Sequence, residues 1–136
     1  MTITGSSNGL NLRFNQLALV IEDDPKLATV FAGALHQAGY KTEIILDGRQ
    51  ALARLAEVVP ALVLLDIHLP YYSGMDILKE IRADARLAQT KVMLATADAL
   101  RAELLRTEAN LVLLKPISYR QLRDLAERLM PKGSRA

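Results

Sequence analysis

The sequence contains no cysteine, which excludes a disulfide framework. Aromatic residues are only 4% of a chain that is 51% hydrophobic, so the core it can build is aliphatic. No apolar run approaches the roughly 20 residues of a membrane span. No charged-then-apolar signal segment is visible at the amino terminus, and the expected setting is cytoplasmic, with no membrane partner. A net charge of +2 is too small an excess to argue for nucleic acid as a partner. Neither GxxxxGK nor GxGxxG occurs, which leaves nucleotide binding without motif support.

What the chain does have is an alternation of two patterns. Strand-length apolar runs occur at Leu17–Ile21, Thr42–Ile45, Ala61–Leu65, Val92–Ala95 and Leu111–Leu114. Most lack polar alternation, which reads as strands buried on both faces of a parallel sheet. Helical spacing falls between them. Leu27, Val30, Phe31, Ala34, Leu35 and Ala38 form one such segment, stopped by Gly39. Asp47 and Gly48 open a second, with Leu52, Leu55 and Ala56. Leu78 and Ile81 mark a third, Leu100, Leu104 and Leu105 a fourth, and Leu122, Leu125, Ala126 and Leu129 a fifth. Five β-α repeats predict one doubly wound α/β domain of five parallel strands over residues 16–130. A flexible leader is expected at 1–15 and a flexible tail at 131–136.

In open parallel sheets, ligands bind outside the carboxyl ends of the strands. Four of the five expected strands end there in polar residues. Glu22, Asp23 and Asp24 follow the first, Asp66 the third, Thr96 the fourth and Lys115 the fifth. With strand order 2-1-3-4-5, Asp23 and Asp66 become neighbours, and carboxylates a few Å apart repel by roughly 1–4 kcal/mol. A divalent cation removes that cost, and Mg²⁺ suits a site of carboxylates, waters and phosphate oxygens. Each residue also has a plainer reading. An aspartate after a strand can form a turn or cap a helix. Asp24, before Pro25, reads as an N-cap. Thr96 alone reads as structural and Lys115 alone as a solvated charge at an exposed strand end. Arg120, Arg123 and Arg128, interspersed with Asp124 and Glu127, read as a solvated helix face.

The ordered set "VIEDDP", "LVLLDIHLPYYSG", "LATA" and "LLKP" resembles the receiver domain of two-component response regulators. The resemblance implies a flavodoxin-like fold and a phosphoacceptor, not an enzyme with an external turnover substrate. It makes Asp66 the phosphoacceptor, with Asp23, Glu22 (partly through water), Asp66 and the backbone carbonyl of His68 holding Mg²⁺. Thr96 is the hydroxyl that follows the phosphoryl group, and Lys115 contacts its oxygens. The Lys115–Pro116 peptide bond is implied to be cis. The implied partners are a sensor histidine kinase or phosphotransfer protein and an unidentified downstream protein, with a weak homodimer left open. Tyr71 and Tyr72 are expected to cover the site. Two features depart from the pattern. The switch aromatic is replaced by Val112, and the stretch from Thr96 to Lys115 is short by about one helical turn. Two other classes stand against this: a pseudo-receiver acting as an interaction module without phosphate, and a flavodoxin-like cofactor domain. The acids after the first strand would repel a cofactor phosphate and argue against the latter.

Overall fold

Five strand-length runs become the five parallel strands of a single sheet, the three central ones buried on both faces and the two edge ones partly open to water. The computed structural model describes residues 16–131. The strands are β1 (Leu17–Ile21), β2 (Lys41–Ile45), β3 (Leu62–Asp66), β4 (Lys91–Thr96) and β5 (Leu111–Leu114). They lie in the order β2-β1-β3-β4-β5. The helices are α1 (Pro25–Gln37), α2 (Gly48–Leu55), α3 (Gly74–Ala83), α4 (Ala99–Leu104) and α5 (Tyr119–Arg128), and a short 3₁₀ turn occupies Ala85–Leu87. The expected leader and, apart from Pro131, the expected tail lie outside the described residues. Among the described residues no helix is long and apolar enough to cross a membrane.

Side chains alternate across a strand, so each central strand supplies two cores. Ala18, Val20, Leu62, Leu64, Met93 and Ala95 pack under α1 and α5 with Phe31, Leu35 and Leu122. Leu19, Ile21, Val63, Leu65, Val92 and Leu94 pack under α2 and α3 with Leu55, Ile77 and Ile81. Full burial of each such side chain contributes roughly 1.5–3 kcal/mol. Short polar side chains start the helices by accepting orphan backbone N–H groups. Asp24, Asp47, Ser73, Asp98 and Ser118 are the N-caps of α1 to α5. Asp24 thus has the plain role read for it, with Pro25 as the first helical residue. Gly39 ends the first helical segment at a φ of 110°, a conformation open to glycine.

Two expectations about helix faces need correction. Leu100 and Leu104 are each 71% exposed, and α4 buries none of its six residues. Leu105, at its C-cap, carries the buried contact of that segment. Val30 of α1 is also about half exposed, off the face that meets the sheet.

Candidate functional site

The parallel register brings the strand-end residues to one edge. Leu65 pairs with Ile21 on one side, and Asp66 pairs with Ala95 on the other. Thr96 pairs with Leu114, and the Lys115 N–H donates to the Thr96 carbonyl at 2.7 Å. Glu22 is fixed at the end of β1 by its N–H, which donates to Ile45 at 3.0 Å. Glu22, Asp23, Asp66, Thr96 and Lys115 therefore gather along one rim although they span most of the chain.

Three of them form an acidic cluster. Carboxylate oxygens of Glu22, Asp23 and Asp66 all lie within 4.8 Å of one another, close enough to hold one metal ion. Glu22 is 2% exposed and Asp66 4%, whereas Asp23 faces solvent. Buried carboxylates are costly without compensation. The compensation is Lys115, whose Nζ donates to Glu22 Oε1 at 2.8 Å and lies 3.5 Å from Asp66 Oδ2. The expectation of a charge at an exposed strand end needs correction: Lys115 is partly buried and bonds more closely to Glu22 than to Asp66. The Lys115–Pro116 peptide bond is cis.

Ionisation follows from these contacts. Burial pushes the Glu22 carboxyl above its ordinary range, against the lowering effect of the Lys115 and Asp24 hydrogen bonds. Burial works against the Lys115 ammonium too, but the Glu22 hydrogen bond and the charges of Asp66 and Glu22 outweigh it and raise its pKa. Both Glu22 oxygens are engaged, since Oε2 accepts the Asp24 N–H at 3.2 Å. Asp66 Oδ1 accepts the His68 N–H at 3.1 Å. His68 thus meets the cluster through its backbone amide. The fully buried Thr96 hydroxyl accepts the Asp98 N–H at 3.0 Å, tying the end of β4 to the start of α4.

Tyr71 and Tyr72, expected over the site, turn toward α2. The Tyr71 ring lies against Arg49, and Tyr72 lines a groove with Leu52, Leu55 and Ile81. Arg49 was missed in the sequence, where nothing separates it from any other exposed helical arginine. Val112 is partly buried against the α2–α3 core, so the missing ring is replaced by ordinary packing.

Comparison with known proteins agrees with this geometry. The family model of the response regulator receiver domain matches residues 18–127. The DNA-binding response regulator MtrA of Mycolicibacterium smegmatis is 44% identical over 70 residues, 52% of this chain and 31% of MtrA. The chain thus spans about a third of the length of that relative. The receiver domain of sensor histidine kinase PA1611 from Pseudomonas aeruginosa PAO1 superposes with a TM-score of 0.75 at 29% identity. The match covers 85% of this chain and 97% of that one, whose structure has a magnesium ion coordinated in the active site cleft. The chemotaxis response regulator CheY4 of Vibrio cholerae, 22% identical, shares the fold with a TM-score of 0.76 over 84% of this chain and 98% of its own. With its fold, its acidic rim and its sequence in agreement, the chain belongs to the family of response regulator receiver domains.

Proposed function

We propose that Asp66 accepts a phosphoryl group from a phosphohistidine of a sensor kinase or phosphotransfer protein, with Mg²⁺ bound beside it. The observation that carries the reading is the cluster of Glu22, Asp23 and Asp66 with Lys115 set against it. Three carboxylates and one ammonium leave two negative charges at the rim, which suits one divalent cation. Asp23 and Asp66 would hold it with the His68 carbonyl. Glu22, with both oxygens already accepting hydrogen bonds, would act through water. When bound, Mg²⁺ would neutralise the carboxylates and the incoming phosphoryl oxygens.

The residues of the chain do the rest. An Asp66 carboxylate oxygen attacks phosphorus, the phosphorus–nitrogen bond breaks, and its electron pair returns to the donor imidazole. Lys115, beside Asp66 Oδ2, holds a positive charge where phosphoryl oxygens would arrive. Thr96 releases the Asp98 N–H and turns its hydroxyl toward them. Such transfer needs positioning and charge neutralisation more than acid–base chemistry, and the site consists of groups for both.

Acetyl phosphate with Mg²⁺ tests the reading by intact mass. The wild-type chain should gain one phosphoryl group, and Asp66→Ala should gain none. In parallel, Mg²⁺ should raise the melting temperature by mass action, and Asp23→Asn should abolish most of that rise. A wild-type chain that gains no mass would overturn the phosphoacceptor role.

A further inference from the structure

We infer that Arg49 is a positioning residue for this site, acting through Tyr71 on the loop that follows Asp66. The inference rests on the phosphoacceptor reading above. Tyr71 has a φ of 72°, and among the described residues it is the non-glycine residue with a positive φ. Bulky L-residues avoid this region because Cβ crowds the following carbonyl, so such a conformation persists only where its surroundings hold it. Burial does not hold it, since Tyr71 is 70% exposed. A γ-turn closed by the Tyr72 N–H on the Pro70 carbonyl sets the conformation, and α2 braces it from outside, where the Arg49 guanidinium carbon sits 3.7 Å from the centre of the Tyr71 ring.

The backbone closes the same joint. The Gly48 N–H donates to the Pro70 carbonyl at 3.4 Å, and the Tyr72 N–H donates to that carbonyl at 2.9 Å. A Cβ on Gly48 would stand 2.7 Å from Tyr72 Cβ and 2.8 Å from the Tyr72 carbonyl oxygen, so the start of α2 approaches this closely only as glycine. At its base, the loop is stitched by the Gly74 N–H to the Ile67 carbonyl at 2.8 Å, and to the site by the His68 N–H on Asp66 Oδ1. Residues 67–73 thus have their foot on the phosphoacceptor and their crest on α2. Without the Arg49 stack, Tyr71 can relax toward an ordinary φ, and that rotation re-aims the loop and the His68 carbonyl with it. Arg49 therefore sets how well the loop is placed to meet a cation held by Asp23 and Asp66.

Two measurements on the full chain test this. The first is amide exchange of residues 67–73 in metal-free protein. Arg49→Ala should speed it about three- to fivefold, the size of an exposed cation–π contact, while Tyr71→Phe, which keeps the ring, should not. The second is phosphorylation by acetyl phosphate across a Mg²⁺ titration. Arg49→Ala should raise the half-saturating Mg²⁺ concentration by a similar factor of about three to five and leave the plateau unchanged. A variant that is merely less stable would lose plateau instead. If Arg49→Ala does not fold, Tyr71→Ala carries the same two measurements. If wild type takes no phosphoryl group, the phosphoacceptor reading fails, and the exchange data alone decide whether the stack holds the loop. If wild type is phosphorylated and the variant matches it in exchange or in Mg²⁺ dependence, the positioning role is overturned.

Discussion

Glu22 is almost wholly buried, and the ammonium at 2.8 Å is what makes its charge tolerable there. Removing Lys115 leaves two buried carboxylates and one exposed one to repel each other. Lys115→Ala should therefore cost about 2–3 kcal/mol in metal-free protein, lowering its melting temperature by roughly 5–10 °C. The Mg²⁺-dependent rise should be larger in the variant than in wild type, because the cation then takes over the work of the lysine. Calorimetry with and without Mg²⁺ checks both, and a metal-free variant as stable as wild type would remove Lys115 from that role. A second pair gives a pH signature. Arg54 donates from Nε and Nη2 to the two oxygens of Glu43 at 2.8 and 2.9 Å. These hydrogen bonds, against mild burial, hold the Glu43 carboxyl below its ordinary 4.5. An acid with a depressed folded pKa contributes stability above its unfolded pKa and loses it as pH falls through the folded value. Both side chains are about one-third exposed, so the contribution stays below about 1 kcal/mol. Glu43→Gln should be slightly less stable than wild type at neutral pH and equal to it well below pH 4.5. Denaturant melts at the two pH values would show the gap closing.

At the scale of elements, the strands were legible because a parallel sheet buries both faces, and an unbroken aliphatic run has few other uses. The polar residues that end those runs were legible for the same reason, since parallel strands deliver their carboxyl ends to one rim. Lys115 shows where this stops. Its partner lies across the ends of β3 and β4, just past β1 and 93 residues away, and nothing local to either residue announces the pair. The fourth helix shows a different limit. The spacing of Leu100, Leu104 and Leu105 reports that one face is apolar, not that anything covers it. The helix has six residues and its apolar side stands in solvent. So few residues give little cooperativity, and packing adds little beyond Leu105 at the C-cap. Amides of α4 should exchange far faster than those of α1 or α5. With Val112 packed against the α2–α3 core and no ring to swing, a phosphoryl mimic such as beryllofluoride should protect mainly the loops after β3 and β4. Protection spread along α4 and β5, with dimerisation, would contradict this.

Across the whole molecule, the sheet divides the core in two, and the two halves differ in how their helices are held. On the α2–α3 side guanidinium groups join the aliphatic packing: Arg86, in the 3₁₀ turn, donates to the Leu55 carbonyl at the end of α2 at 2.6 Å, and Arg82 of α3 donates to the Thr90 carbonyl at 3.2 Å. On the other side, hydroxyls reach from one element to another. The Tyr119 hydroxyl of α5 donates to the Gly33 carbonyl of α1 at 3.0 Å, and the Tyr40 hydroxyl, just past α1, donates to the Ala126 carbonyl of α5 at 2.7 Å. Tyr40→Phe should cost about 1 kcal/mol in denaturant unfolding, the worth of one buried hydrogen bond, and loosen the last turn of α5 in amide exchange. The two anchor points on α5 lie about two helical turns apart. A rod pinned at one point can pivot; a rod pinned at two keeps its heading. In mechanical terms these two ties couple α5 to α1 and limit the swing of α5 on its own. A signal travelling this way would then arrive as a tilt of the pair more than a turn of one helix.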